Sequence, residues 1–116
     1  MSDLGSYLPR GMYRNRRLLD QAHDLDRCTN CGAFSVDGLE PAHSNLQEHG
    51  RGASNKSHDL FYAALCRACH FWLDHGKGMD PSQRFEGTRE GKRDMFIRAM
   101  HATWLALWQF GKVKVS

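Results

Sequence analysis

The chain has 116 residues, enough for one compact core and too few for two. Its hydrophobic fraction of 41% and charged fraction of 25% are those of an ordinary globular protein, which excludes collagen-like, coiled-coil and wholly disordered chains. A net charge of +3 permits a polyanionic partner without requiring one, and no apolar run is long enough to span a membrane.

Residues 1–13 read as a loose leader, without the apolar run of a secretory signal. A cytoplasmic location in a bacterial cell is expected, where cysteines bind metal more often than they pair. Arg14 to Asp26 is predicted as a short helix with Leu18, Leu19, Ala22 and Leu25 on one face. Arg10, Arg14, Arg16 and Arg17 fall in a stretch without acids, either a phosphate-contacting arm or a solvated helix start.

Cys28-Thr-Asn-Cys31-Gly32 follows, then a hairpin predicted from Asp37-Gly38 between Phe34/Val36 and Leu39. Pro41 favours extended backbone at Glu40. Residues 44–58 form a long polar stretch punctuated by glycine. Asp59–Leu65 is predicted as a buried strand and Cys66–His75 as a helix with Phe71, Trp72 and Leu73 as its bulk, stopped by Gly76 and Gly78. Residues 76–92 form another polar connection. Asp94–Phe110 is predicted as a long helix burying Phe96, Ile97, Met100, Trp104, Leu107 and Trp108, and Val113-Lys-Val115 as a terminal strand.

Cys28/Cys31 and Cys66/Cys69 make two C-x-x-C pairs. A two-residue spacer lets both thiolates turn toward one ion, and two such pairs complete the tetrahedral sulfur shell that suits structural Zn²⁺. Cys66-Arg-Ala-Cys69-His70 also matches a haem-attachment pattern, but that reading requires export and leaves Cys28/Cys31 without a role. The clamp should draw His43 and His70 toward one cleft, where imidazoles can serve as base and metal ligand.

Taken together, Cys28-x-x-Cys31, Glu40-Pro-Ala-His43, a polar loop, Asp59-Leu60 and Leu65-Cys66-x-x-Cys69-His70 resemble the zinc-stapled HNH endonucleases of the ββα-metal fold, and most closely the small phage and prophage YbcO-like nucleases. The resemblance covers residues 28–75. It implies His43 as general base, Asp59 in place of the Asn that orients it, and His70 as ligand of a catalytic cation, Mg²⁺, Mn²⁺ or another divalent ion. Ala42 departs from the pattern, because it stands where the family has a metal ligand. Asp74, four residues after His70 on one helix face, is the expected substitute, followed by His75, His49 and His58.

The expected fold is therefore α+β: a basic helical arm (1–27), a zinc-stapled ββα core (28–75), and a loop with a long C-terminal helix packed on that core (76–116). The expected function is metal-dependent cleavage of DNA with low sequence specificity. Arg10, Arg14, Arg16, Arg17, Arg51 and Lys56 are its candidate phosphate contacts, and the chain is expected to act as a monomer or homodimer. The alternative is a zinc-stapled module that binds nucleic acid or a protein partner without cutting.

Overall fold

A computed structural model of the chain describes residues 16–44 and 61–110. Among these residues the architecture is α+β, with three α-helices, a two-stranded antiparallel sheet and a four-cysteine cluster. The leader, the polar stretch 45–60 and the expected terminal strand at 113–115 lie outside the described residues.

Helix α1 covers Arg16–Asp20 and tightens into a 3-10 turn at Gln21–Asp24, ending two residues before the expected end at Asp26. Leu25 ends it in extended backbone, and the amides of Leu25 and Leu39 both donate to Ala22 O. That shared carbonyl folds the chain back so that Leu18, Ala22 and Leu25 are buried together with Leu39.

The hairpin expected at 34–39 does not form. Phe34 instead bridges to Arg27 across the first cysteine pair, and Ser35 to Gly38 make a turn closed by Gly38 N–H donating to Ser35 O at 3.2 Å. Phe34 and Val36 are 56% and 86% exposed, so nothing buries the face a hairpin would need. Gly38 sits at φ +83°, and a Cβ there would strike the His23 backbone.

Strands β1 (Glu40–His43) and β2 (Tyr62–Leu65) pair antiparallel, with Pro41 opposite Ala64 and His43 opposite Tyr62. Ala64 uses both its backbone groups away from β1. Its N–H donates to Thr103 Oγ1 at 2.9 Å, and its carbonyl accepts from Thr29 Oγ1 at 2.7 Å. Pro41 and Ala64 thus form a non-hydrogen-bonded pair, the position where a residue lacking an N–H costs the ladder nothing.

Helix α2 runs Arg67–His75, with Cys66 as its N-cap and Gly76 as its C-cap. It buries Trp72 and Leu73, whereas Phe71, expected among the bulk, is 62% exposed. Helix α3 covers Arg89–Gln109, beginning five residues before the expected start. Thr88 sets that start by accepting the Gly91 N–H on its hydroxyl at 3.0 Å.

The buried face of α3 is Met95, Phe96, Ala99, Met100, Thr103 and Leu107. It is rotated by roughly 80° from the expected aromatic stripe, at 100° per residue. Trp108 is 55% exposed, and Ile97 and Trp104 are only half-buried. The reason is steric: Ala99 and the small Thr103 let α3 approach the two alanines of β2, which a tryptophan at the contact would prevent.

Candidate functional site

The two C-x-x-C pairs meet. Sγ atoms of Cys28, Cys31, Cys66 and Cys69 all lie within 4.8 Å of one another, and those of Cys31 and Cys66 are 3.8 Å apart. Four thiolates at the usual 2.3 Å from a tetrahedral Zn²⁺ have edges of about 3.8 Å, so the cluster is shaped for such an ion. Among the described residues this is the one group of three or more metal-ligating side chains close enough to share one ion.

Local structure prepares the sulfurs. Gly32, at φ +77°, donates its N–H to Cys28 O at 2.9 Å and turns the first pair inward. Cys66 caps α2 without spending its side chain, and His70 N–H reaches Cys66 O at 2.9 Å. The second pair therefore opens a helix, whose N-terminal dipole favours anionic sulfur.

Asn30 supports the set from within the first pair. Its backbone N–H points at Cys28 Sγ (3.4 Å) and its side-chain amide at Cys69 Sγ (3.3 Å). A hydrogen bond from Cys69 holds the Cys28 thiol well below its ordinary value, against the opposing effect of burial. Sharing that proton with Cys28, together with burial, pushes Cys69 upward; burial leads in raising Cys66. An arriving Zn²⁺ would displace these protons.

The Asn30 side chain is held in turn by Asp80, whose Oδ2 accepts from Asn30 Nδ2 at 2.7 Å. Asp80 also accepts from Ser82 N–H and Oγ–H and from the amides of Arg84 and Phe85. Burial alone would raise this carboxyl, but the bonds from Ser82, Asn30, Phe85 and Arg84 outweigh it and hold it well below the ordinary range. Sequence reasoning passed over both residues. The available signal was Asp80-Pro-Ser82, the residue types of an Asx turn.

Beside the cysteine cluster, a cavity of about 220 Å³ is lined by Glu40, Arg67, His70, Phe71, Asp74 and His75. His70 Nδ1 lies 2.9 Å from Glu40 Oε1, and His70 Nε2 lies 3.5 Å from Asp74 Oδ2. Asp74 shares a face with His70, as its spacing predicts. Arg67 Nε is 3.3 Å from Glu40 Oε2. The His70 hydrogen bond is the chief cause holding the Glu40 carboxyl below its ordinary value; burial opposes this and Arg67 adds to it.

The cavity does not unite the two histidines. His43 is not among its lining residues. It is half-buried at the far end of β1, opposite Tyr62. Glu40 takes the place at His70 that His43 was expected to share. Glu40 went unnoticed as a site residue, although it lies two residues before Ala42 and so on the same strand face.

Arg16 and Arg17 are exposed, and Arg16 is partly occupied by Asp20 at 3.3 Å. Asp59, Arg10, Arg14, Arg51, Lys56, His49 and His58 lie outside the described residues. Arg67, exposed at the cavity mouth, is a cation that the sequence reading left out. No helix among the described residues is long and apolar enough to cross a membrane. No family model matches the chain, and no curated protein or solved structure matches it either.

Proposed function

We propose that this chain is a zinc-stapled, metal-dependent DNA endonuclease of the ββα-metal type, phage- or prophage-encoded and acting in a bacterial cytoplasm. The observation carrying this reading is the setting of His70. It lies in the first turns of the helix opened by the second cysteine pair, and it faces a carboxylate on the strand that also bears His43. Two antiparallel strands followed by a helix, with one cysteine pair before the strands and the other opening the helix, support the resemblance drawn from the motifs.

In this reading Zn²⁺ on Cys28, Cys31, Cys66 and Cys69 is structural, because four protein ligands leave it no open position. His43 takes the proton from the attacking water. A divalent cation held at His70 would supply charge neutralisation at a non-bridging phosphate oxygen and at the departing oxygen. In-line displacement sets base and ion on opposite sides of phosphorus. Arg67, Arg16 and Arg17 would contact backbone phosphates, which positions DNA without reading bases. Low sequence specificity follows.

The test is incubation of the zinc-loaded chain with supercoiled plasmid and single-stranded DNA in Mg²⁺ or Mn²⁺. Nicked or shortened products are expected, and His43→Ala should abolish them while keeping its zinc and its melting temperature. A variant that cuts like the parent removes the base assignment, and uncut DNA with either metal removes the enzyme.

One observation favours the non-catalytic alternative. Ala42 is 1% exposed and offers a methyl group where the resemblance calls for a ligand. That alternative expects salt-sensitive retention of DNA with no products.

A further inference from the structure

We infer that Cys31 and Cys66 are a peroxide-oxidisable pair: they close a disulfide across the two C-x-x-C motifs, which gives up the structural ion and leaves the chain joined at the same place. This chemistry belongs to the sulfur cluster alone and is independent of any action on DNA.

The four sulfurs are not equivalent. Cys28 and Cys69 are buried, at 4% and 0% exposed, whereas Cys31 and Cys66 are each partly open to solvent. Asn30 adds to the difference, since its backbone N–H points at Cys28 Sγ and its side-chain amide at Cys69 Sγ. A donated hydrogen bond draws charge from sulfur and makes it a poorer nucleophile. Oxidation follows thiolate character and access, and it reaches a disulfide where a second cysteine stands ready. The open pair meets that condition, because Cys31 Sγ and Cys66 Sγ are 3.8 Å apart.

Closing this gap to the about 2.05 Å of a disulfide requires local movement. Space for it exists beside Cys31, where a Cβ on the adjacent Gly32 would meet nothing within 4 Å. Cys66 is the N-cap of α2, outside the helix, and its side chain makes no capping bond. Cys69 lies within α2, and Cys28 is tied through both backbone groups, its N–H to Ala33 O and its carbonyl to Gly32 N–H. A disulfide inside either C-x-x-C pair would need one of these two buried, anchored sulfurs. The crossed link needs neither.

With a peroxide as oxidant the step balances. One of the two open thiolates attacks a peroxide oxygen, the O–O bond breaks, and hydroxide leaves and takes a proton, giving a sulfenic acid and water. The other thiolate attacks that sulfur. The S–S bond forms, the S–O bond breaks, and the second hydroxide leaves as water. The two sulfurs together lose two electrons, which the peroxide gains. Cys28 and Cys69 alone are too few ligands to retain Zn²⁺. The new bond spans the same 35 residues that the ion closed, so the oxidised chain stays folded. A dithiol reductant with Zn²⁺ reverses the change.

The experiment treats the zinc-loaded full chain with a small excess of hydrogen peroxide. Released Zn²⁺ is read with a chromogenic chelator against an untreated control. Remaining thiols are blocked with N-ethylmaleimide, and links are mapped by mass spectrometry of unreduced peptides. The expected result is a Cys31–Cys66 link, blocked Cys28 and Cys69, and one Zn²⁺ lost for each link. The oxidised chain should keep a cooperative melt, and dithiothreitol with Zn²⁺ should restore the starting form. A link within either C-x-x-C pair, a link between Cys28 and Cys69, zinc loss without a link, loss of the melt, or four thiols untouched by peroxide each overturns the inference.

Discussion

Asp80 and Asn30, fifty residues apart, share a 2.7 Å hydrogen bond in the interior, and the same Asn30 amide points at Cys69 Sγ. A surface-looking Asp-Pro-Ser sequence is thus a buried anchor that fixes the connection after α2 to the sulfur cluster. Replacing Asp80 by Asn turns an acceptor of charged strength into a weaker one with misplaced donors. Asp80→Asn should lower stability by about 2–4 kcal/mol, given roughly 1.5–3 kcal/mol per bond to a charged group, as read by urea denaturation of the zinc-loaded chain.

The same carboxyl predicts a pH dependence. Its folded-state pKa is depressed, so its contribution is present above the unfolded value and is lost as pH falls toward the folded one. Stability from Asp80 should be full above about pH 5 and decline below about pH 4, near the unfolded aspartate value. Asp80→Asn should flatten that acid limb. A parallel decline in parent and variant would show that the linkage lies elsewhere.

Metal removal should unfold the core. The described core is small, and the cysteine cluster joins its two ends. Elemental analysis should give one Zn²⁺ per chain, and Co²⁺ exchange should give the absorption of a tetrahedral tetrathiolate. A strong chelator should abolish the cooperative melting transition, and Cys69→Ser should mimic chelation. Retention of the transition in metal-free protein would count against a structural ion.

Two glycines separate backbone strain from collision. Gly32 and Gly38 both have positive φ, but a Cβ at Gly32 meets open space and one at Gly38 meets the His23 backbone. Gly32→Ala should cost about 1 kcal/mol, the left-handed penalty alone. Gly38→Ala should cost more, about 3 kcal/mol, because strain and displacement add. Thermal melts of the two variants make the comparison.

Thr103 connects α3 to the sheet. Its hydroxyl donates to Ala99 O at 2.8 Å and accepts the Ala64 N–H at 2.9 Å. Thr103→Val keeps the shape and strands a buried amide, so a loss of about 1–3 kcal/mol is expected in denaturant melts.

The features legible in the sequence were those set by short-range chemistry. The C-x-x-C spacing placed the sulfurs, Pro41 marked extended backbone, and Gly76 marked the end of α2. What escaped depended on partners remote in sequence. The orientation of α3 was decided by the two alanines of β2, against which Ala99 and Thr103 fit better than Trp104 and Trp108. Glu40 read as a motif neighbour because only the strand's two-residue period, combined with α2 folding back, brings it to His70.

Ser44 N–H donates to Phe61 O at 2.9 Å, one step beyond the β1–β2 ladder. The two residues that bound the polar segment are therefore pinned at adjacent points. Lengthening a connection whose ends are closed in this way is thermodynamically cheap, about 0.6 kcal/mol for each doubling. The chain can thus accept inserted sequence between Ser44 and Phe61, even an added recognition element, without loosening the scaffold that holds its ends.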